Sequence, residues 1–246
     1  MQTKAIKTHK VSVGESIEEI LDQHLTSLES GDVIAITSKI ISLCQGRVVQ
    51  KSSISKQDLI KQEADSVLYT ESNPYDLYLT IKDNILIPSA GIDESNSNGV
   101  YILYPQNIQT VAYTVWQYLR AKFSIENLGV IIIDSHTTPM RRGVTGITLG
   151  WCGFEPLYSY VNKPDIYGNL MRVTQINILD ALATTAVFVM GEGSEQTPMA
   201  VINNAPKISF VARPPSVQEE RNVAISIAED LYAPLLMGAK WLGKTA

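Results

Sequence analysis

The chain has 246 residues, 45% hydrophobic and 18% charged, with a net charge of −5. This describes a globular protein with a substantial core and argues against nucleic acid as its partner. No apolar run reaches the roughly 18 residues of a membrane span, and the polar start lacks the apolar stretch of a secretory signal. Cys44 and Cys152 are too few and too far apart for a disulfide framework or a zinc pattern, so the expected setting is a reducing cytoplasm without membrane attachment. Both thiols read as buried small hydrophobes.

Apolar residues at helical spacing predict a helix over Glu15 to Leu28, with Ser16 and Glu19 at capping-box spacing. Gly31-Asp32 turns the chain into a buried strand at Val33–Ile36, ending at Thr37-Ser38-Lys39. Lys39 is either a phosphate contact or a surface lysine. The apolar stretch Ile40–Val49 follows, with Gly46 as its turn or helix stop. Ser55 to Tyr69 is a second predicted helix, and Glu71 to Pro74 a break. Asn84–Ile87 reads as a strand stopped by Pro88.

The small, polar segment 89–99 carries Asp93 and Asn96 three residues apart. Their hard oxygens suit Mg²⁺ or Mn²⁺, and the same composition suits an ordinary Asx-rich loop. A strand is expected over Val100–Tyr104 and a helix over Ile108 to Phe123, with Trp116 packed in the core. Gly129–Asp134 reads as a buried strand, which puts Asp134 where the chain leaves the sheet. Ser135, His136, Arg141 and Arg142 follow within eight residues. A carboxylate beside two guanidinium groups suits a metal-and-phosphate site, or else Asp134 caps the next turn. His136 is the one histidine placed to touch a substrate.

The glycines after Gly143 form neither a GxGxxG nor a P-loop. Asp165–Gly168 reads as a turn and Thr174 to Met190 as a long apolar helix, in which Asp180 is satisfied locally or lies on an exposed edge. The segment Gly191–Pro198 either gathers backbone N–H groups and a carboxylate at one point or is a glycine C-cap and polar loop. Met199–Ile202 and Ile208–Val211 read as strands, and Ser216 to Met237 as a terminal helix kinked or ended by Pro234. The expected fold is α+β, mixed sheets with packed helices, one domain over 1–246 built as one body or two lobes.

In order, Gly31-Asp32-Val33-Ile34, Ser38-Lys39-Ile40, Gly46-Arg47-Val48-Val49, Ala90-Gly91-Ile92-Asp93-x-Ser95-Asn96, Asp134-Ser135, Arg141-x-Gly143, Asp165-x-Tyr167-Gly168 and Met190-Gly191-Glu192 resemble the γ-glutamyl ligases that add L-glutamate to coenzyme F420 precursors. The resemblance runs over most of the chain. It implies a γ-glutamyl ligase-like fold and a homodimeric, GTP- or ATP-dependent amide ligase with two Mg²⁺ or Mn²⁺ ions. Its partners would be L-glutamate and a carboxylate-bearing acceptor. Carried over residue by residue, it assigns Asp93, Asp134, Ser135 and Glu192 to the metals. Thr8, His9, Lys10, Val11, Ser38, Lys39, Asn96, Gly191, Gly193, Ser194 and Glu195 fall to the nucleotide. Arg141 and Arg142 would offset charge on the transferred phosphoryl group.

The chain departs from the family pattern at Leu43, where many members have Lys, and at Gln45, where they have Glu. It also departs at Thr138 and Met140 in the loop after Asp134, and at Gly146, where Asp is common. Thr138, Met140 and Gly146 are expected to reshape the acceptor pocket, toward a coenzyme F420 precursor or a folate-type molecule. Leu43 and Gln45 also leave room for a non-catalytic nucleotide- or metal-binding homologue.

Overall fold

The structure is a computed structural model and describes residues 1–68 and 77–243. The chain begins with β1 (Gln2–Ile6), α1 (Ile17–His24), β2 (Asp32–Thr37), α2 (Ser38–Cys44) and β3 (Val48–Gln50). Next come α3 (Lys56–Glu63), β4 (Ser66–Leu68), β5 (Leu79–Lys82), β6 (Ile85–Pro88) and β7 (Val100–Ile102). The long elements α4 (Ile108–Phe123), β8 (Leu128–Thr137) and β9 (Val144–Cys152) follow. They lead to β10 (Leu157–Ser159), β11 (Gln175–Asn177), α5 (Ile178–Met190) and β12 (Met199–Asn203). The tail holds α6 (Val217–Val223), α7 (Ala233–Leu236) and β13 (Trp241–Gly243). The fold is α+β.

The main sheet runs β1-β12-β2-β8-β9. Among the described residues only β2 and β8 pair in parallel, in register from Asp32↔Leu128 to Thr37↔Ile133. Both strands are apolar on both faces, as a parallel pair covered by helices requires. Ile34, Ile36, Val130 and Ile132 pack with α1, α2 and α4 on one face. Val33, Ala35, Ile131 and Ile133 pack with α5 on the other. A smaller antiparallel sheet, β13-β4-β5-β6, carries a separate core with Leu59 and Ile60 of α3. Its β5–β6 turn is the two-residue Asp83-Asn84, both at positive φ, the geometry of a type I′ hairpin.

The expected helix over Ile108 to Phe123 forms with those bounds, and Trp116 is a core residue whose Nε1 donates to Leu128 O at 2.7 Å. The N-terminal helix is shorter than expected: Leu25 and Leu28 are buried but lie beyond its end at His24. Residues 175–177 form β11 rather than helix, because Asn177 caps α5 through Asp180 N. Asp180 is satisfied locally, accepting from Thr148 N at 2.9 Å and from Asn177 Nδ2 at 2.7 Å. Ile208–Val211 is not a strand and makes a single bridge, Phe210 to Phe154.

The expected terminal helix is broken. Ser216 and Glu219 form one capping box and Ser226 and Glu229 a second, so the chain starts a new turn before the first helix can continue. Pro234 sits in the first turn of α7 and opens that helix rather than ending one. Sequence reading found no strand at residues 2–6 or 144–152. β1 is a short edge strand with alternating burial, and β9 hides its pattern behind Gly146 and Gly150. Tyr69 and the expected break at Glu71 to Pro74 lie outside the described residues. No helix among the described residues is long and apolar enough to cross a membrane. Burial pushes the Cys44 thiol up to about 11 and the Cys152 thiol to about 12, so both stay protonated.

Gly146 is a close-packing position between β9 and α5. A Cβ there would lie 2.2 Å from Ala183 C of α5, so the strand and helix backbones touch at this point. An aspartate could not be seated without moving the helix. We expect Gly146→Ala to destabilise the protein by about 1–3 kcal/mol through overpacking, read as a lower denaturant midpoint at unchanged slope. A wild-type midpoint would show that α5 shifts freely.

Candidate active site

The parallel pair β2–β8 delivers two chain exits to one end of the sheet. β2 ends at Thr37 and passes directly into α2, so Ser38 and Lys39 lie beside the strand end. β8 continues past the pair through Asp134 and Ser135 to Thr137, three residues into what sequence alone read as a loop.

A third segment reaches this end from the smaller sheet. Ser89, Ala90 and Gly91 all adopt left-handed backbone. Ala90 N is held by the buried Thr80 hydroxyl at 2.8 Å. Gly91 presses on the Tyr104 ring so closely that a Cβ would lie 2.4 Å from it, which no other residue allows at this φ. Asp93 then pairs with Ile102 through backbone hydrogen bonds of 2.9 Å in both directions. Its carboxylate meets Lys39 Nζ at 2.5 Å and accepts from Ser95 N at 2.6 Å. Lys39 also donates to Ser95 Oγ at 3.0 Å. Ser95 thus links the two segments, a role that only its place in the Asp93-x-Ser95-Asn96 run hints at.

The loop after α5 closes the site. Asn96 Nδ2 donates to Gly193 O at 2.9 Å. Glu195 folds back so that its carboxylate accepts from Gly193 N at 2.8 Å. Thr8 N donates to Gln196 O at 2.9 Å, and Thr37 N to Pro198 O at 2.9 Å. Thr8, Ser38, Asn96 and the Gly191–Pro198 loop therefore meet at one place. His9 is drawn away from it, with Nδ1 2.9 Å from His24 Nε2 and Nε2 2.7 Å from Glu15 Oε2. Lys10 and Ser194 are exposed, and Val11 is half-buried.

The carboxylates feel one another. Burial raises the Asp134 carboxyl to about 7; the Ser135 N–H, at 2.8 Å, opposes this, as does Lys39, while the charges of Asp93 and Glu192 add to it. Glu192 is likewise raised by burial, against Lys39 and a hydrogen bond from Ser135. Burial pushes Asp93 up too, but Lys39 and Ser95 outweigh it and hold this carboxyl below its ordinary value.

Three acids, one serine hydroxyl and a single lysine thus face one end of the sheet. The donor set, hard oxygens with excess negative charge, fits divalent cations. As positioned, no three His, Cys, Asp or Glu side chains among the described residues close into a cation cage, and Lys39 stands on Asp93. A cation bound by Asp93 therefore takes the place of that ammonium.

The remaining predicted residues lie outside this group. Arg141 and Arg142 are exposed on the β8–β9 hairpin tip with Met140, which is 96% exposed. They make no ion pair with the site carboxylates among the described residues. His136 lies on β8, half-buried, and burial lowers its pKa against the charge of Asp180. Gln45 makes a two-point contact instead of a charge: its amide accepts from Gln106 N and donates to Gln106 O, both at 2.8 Å.

Asp134 makes stability depend on pH in the cation-free protein. Its folded pKa lies above its unfolded value, so its favourable contribution is complete below about pH 4 and is lost as pH rises toward 7. The loss is at most on the order of 4 kcal/mol and levels off above pH 7. In chelator, Asp134→Asn should flatten this fall. Parallel pH–stability curves for the two proteins would refute the assignment.

Residues 5–204 match the profile of the F420-0:Gamma-glutamyl ligase family. The Coenzyme F420:L-glutamate ligase of Methanopyrus kandleri is 28% identical over 210 residues, covering 78% of this chain and 82% of the relative. That of Methanococcus maripaludis is 31% identical over 194 residues, covering 73% and 78%. That of Methanocaldococcus jannaschii is 29% identical over 208 residues, covering 77% and 81%. The match spans the main sheet, the Asp93 segment, Asp134 and the loop after α5, and on this ground the chain belongs to the F420-0:γ-glutamyl ligase family.

Proposed function

We propose that this protein is a nucleotide- and divalent-metal-dependent ligase. It joins L-glutamate through an amide bond to a carboxylate-bearing acceptor, a coenzyme F420 precursor or a related pterin such as folate. The observation that carries this reading is the convergence of Asp93, Asp134, Ser135 and Glu192 with Lys39 at one sheet end, inside the segment shared with the ligase family.

The chemistry asks for this arrangement. A carboxylate resists amide formation because oxide is a poor leaving group. An acceptor oxygen therefore attacks the γ-phosphorus of GTP or ATP, the bridging P–O bond breaks, and a nucleoside diphosphate departs. The glutamate amine attacks the resulting acyl phosphate, the C–O bond to phosphate breaks, and the amine proton passes to the departing phosphate or to solvent. Asp93, Asp134, Ser135 and Glu192 would hold two divalent ions such as Mg²⁺ or Mn²⁺, which supply charge compensation for the phosphates. Lys39, freed from Asp93, provides a mobile cation for the same phosphates. Asn96 and the Gly191–Gln196 loop bind the nucleotide, with Glu195 leaving Gly193 N for an incoming anion. Arg141 and Arg142 contribute only if the hairpin tip reaches the transferred phosphoryl group. No protein nucleophile is required.

A non-catalytic homologue remains the second reading, with Leu43 in its favour. Gln45 lends it less support, because the Gln106 backbone makes structural use of its amide. Glutamate-dependent release of GDP or ADP with each acceptor class decides between the two. Turnover is expected from the wild type, and Asp93→Ala or Asp134→Ala should abolish it with the fold intact. Full turnover in both variants would overturn the metal assignment.

The ligase acts as a homodimer through the arm beyond β10 and β11. The arm leaves Ile166 91%, Tyr167 84% and Val173 84% exposed, and Phe188 of α5 is 88% exposed. Large apolar side chains left exposed on one segment suit an interface between copies. Sedimentation should show a dimer, and Ile166→Asp with Val173→Asp should shift it to monomer. A wild-type monomer at micromolar concentration would contradict the assembly.

A further inference from the structure

Asp93 reaches the site through a backbone conformation that chains avoid. Ser89, Ala90 and Gly91 are left-handed in succession, at φ of 53°, 55° and 69°. L-residues visit this region singly, because the Cβ crowds the following carbonyl oxygen. Glycine adopts it freely, but Ser89 and Ala90 do not, and both are buried. Strain of this kind persists only where neighbours over-determine the backbone, and it collects at sites of function.

One side chain spans the turn. Thr80 is fully buried on β5, the strand between β4 and β6 in the smaller sheet. Its hydroxyl donates to Ile87 O and accepts from Ala90 N at 2.8 Å. Ile87 is its direct partner in the β5–β6 pair. The hydroxyl therefore ties the end of β6 to the middle of the turn, across Pro88, which has no N–H to give. Serine could make both bonds; valine has the shape of threonine and can make neither. The other hydrogen bonds of the turn are backbone ones, Ser89 N to Tyr78 O at 2.7 Å and Ile92 N to Ser89 O at 3.0 Å. The Ser89 hydroxyl has no partner among the described residues, so it does not hold the turn.

The turn sets the approach of Asp93. Gly91 lies against the Tyr104 ring, Ile92 joins Ala90 in the core of the smaller sheet, and Asp93 follows on its two-way bridge to Ile102. A relaxed turn at Ser89 and Ala90 would draw Gly91 off the ring and pull on Asp93 from its N-terminal side. Asp134 and Glu192 stand on other elements and would not follow.

We propose that Thr80 is a positioning residue for Asp93: its hydroxyl holds the left-handed turn and so fixes the carboxylate for a divalent cation. The inference rests on the metal reading above. Thr80 itself touches neither cation nor nucleotide, and acts only through the backbone of residues 87–93.

Calorimetric titration of Mn²⁺ into the full chain, with and without GTP or ATP, tests this role. Thr80→Val should weaken Mn²⁺ binding to the folded protein about tenfold, the scale on which outer partners of metal ligands act. Thr80→Ser should restore wild-type affinity. Ile87→Val trims a buried side chain of the same strand pair and leaves both Thr80 bonds in place. It should lower the denaturant midpoint without changing Mn²⁺ affinity, which separates positioning from loss of stability. If Thr80→Val does not fold, Thr80→Cys, a weaker donor and acceptor, should give a smaller loss in the same direction. Wild-type Mn²⁺ affinity in the folded position-80 variant would overturn the positioning role and keep the metal site. Equal losses in that variant and Ile87→Val would also overturn it. Absence of Mn²⁺ binding to the wild type, free and nucleotide-loaded, would overturn the metal reading and the positioning role with it.

Discussion

The parallel pairing of β2 with β8 is the constraint on which the rest of the molecule depends. Parallel neighbours end at the same edge of a sheet, so the two chain exits at Thr37 and Ile133 are held side by side by six paired residues. One exit becomes the first turn of α2 and supplies Lys39; the other carries Asp134 and Ser135. Both strands are buried on both faces, so neither can slip by one residue without turning apolar side chains to the wrong core. The spacing of a lysine and an aspartate far apart in sequence is thus fixed by hydrophobic register.

Around that rigid edge the site is electrostatically unbalanced. Asp93, Asp134 and Glu192 share one lysine; the charges of Asp93 and Glu192 raise Asp134, and that of Asp93 raises Glu192. A site built only for stability would use fewer acids or more cations, because buried charge without a partner is costly. The smaller sheet and the loop after α5 bring in the remaining parts. Asn96 on Gly193 and Thr8 on Gln196 join segments that have no strand pairing with each other.

Sequence showed the elements whose periodicity runs uninterrupted. The apolar spacing from Ile108 to Phe123 and the run Gly129–Ile133 were legible because nothing breaks them. β9 was not, since Gly146 and Gly150 stand where helices press against it, and close packing looks like loop composition in one dimension. The tail read as one helix because two capping boxes of Ser and Glu keep helical composition while interrupting the helix. At the site, Asp134 and Glu192 could be singled out because each follows an apolar run, and Asp93 and Asn96 because they stand three apart in a small polar segment. The Thr80 hydroxyl that holds Ala90 N and the Tyr104 ring against Gly91 could not, because they lie on other elements and meet that segment only in the folded chain.

Gln45 illustrates how such a meeting constrains divergence. Its amide reads the main chain at position 106, not the side chain, and needs both a donor and an acceptor to do so. Residue 106 is therefore free to drift to any type except proline, while position 45 is confined to side chains that can both give and take a hydrogen bond at that reach. Glutamate at 45 would leave the Gln106 carbonyl facing a carboxylate. The Gln45 side chain and the backbone at the head of α4 are therefore matched to each other as one unit.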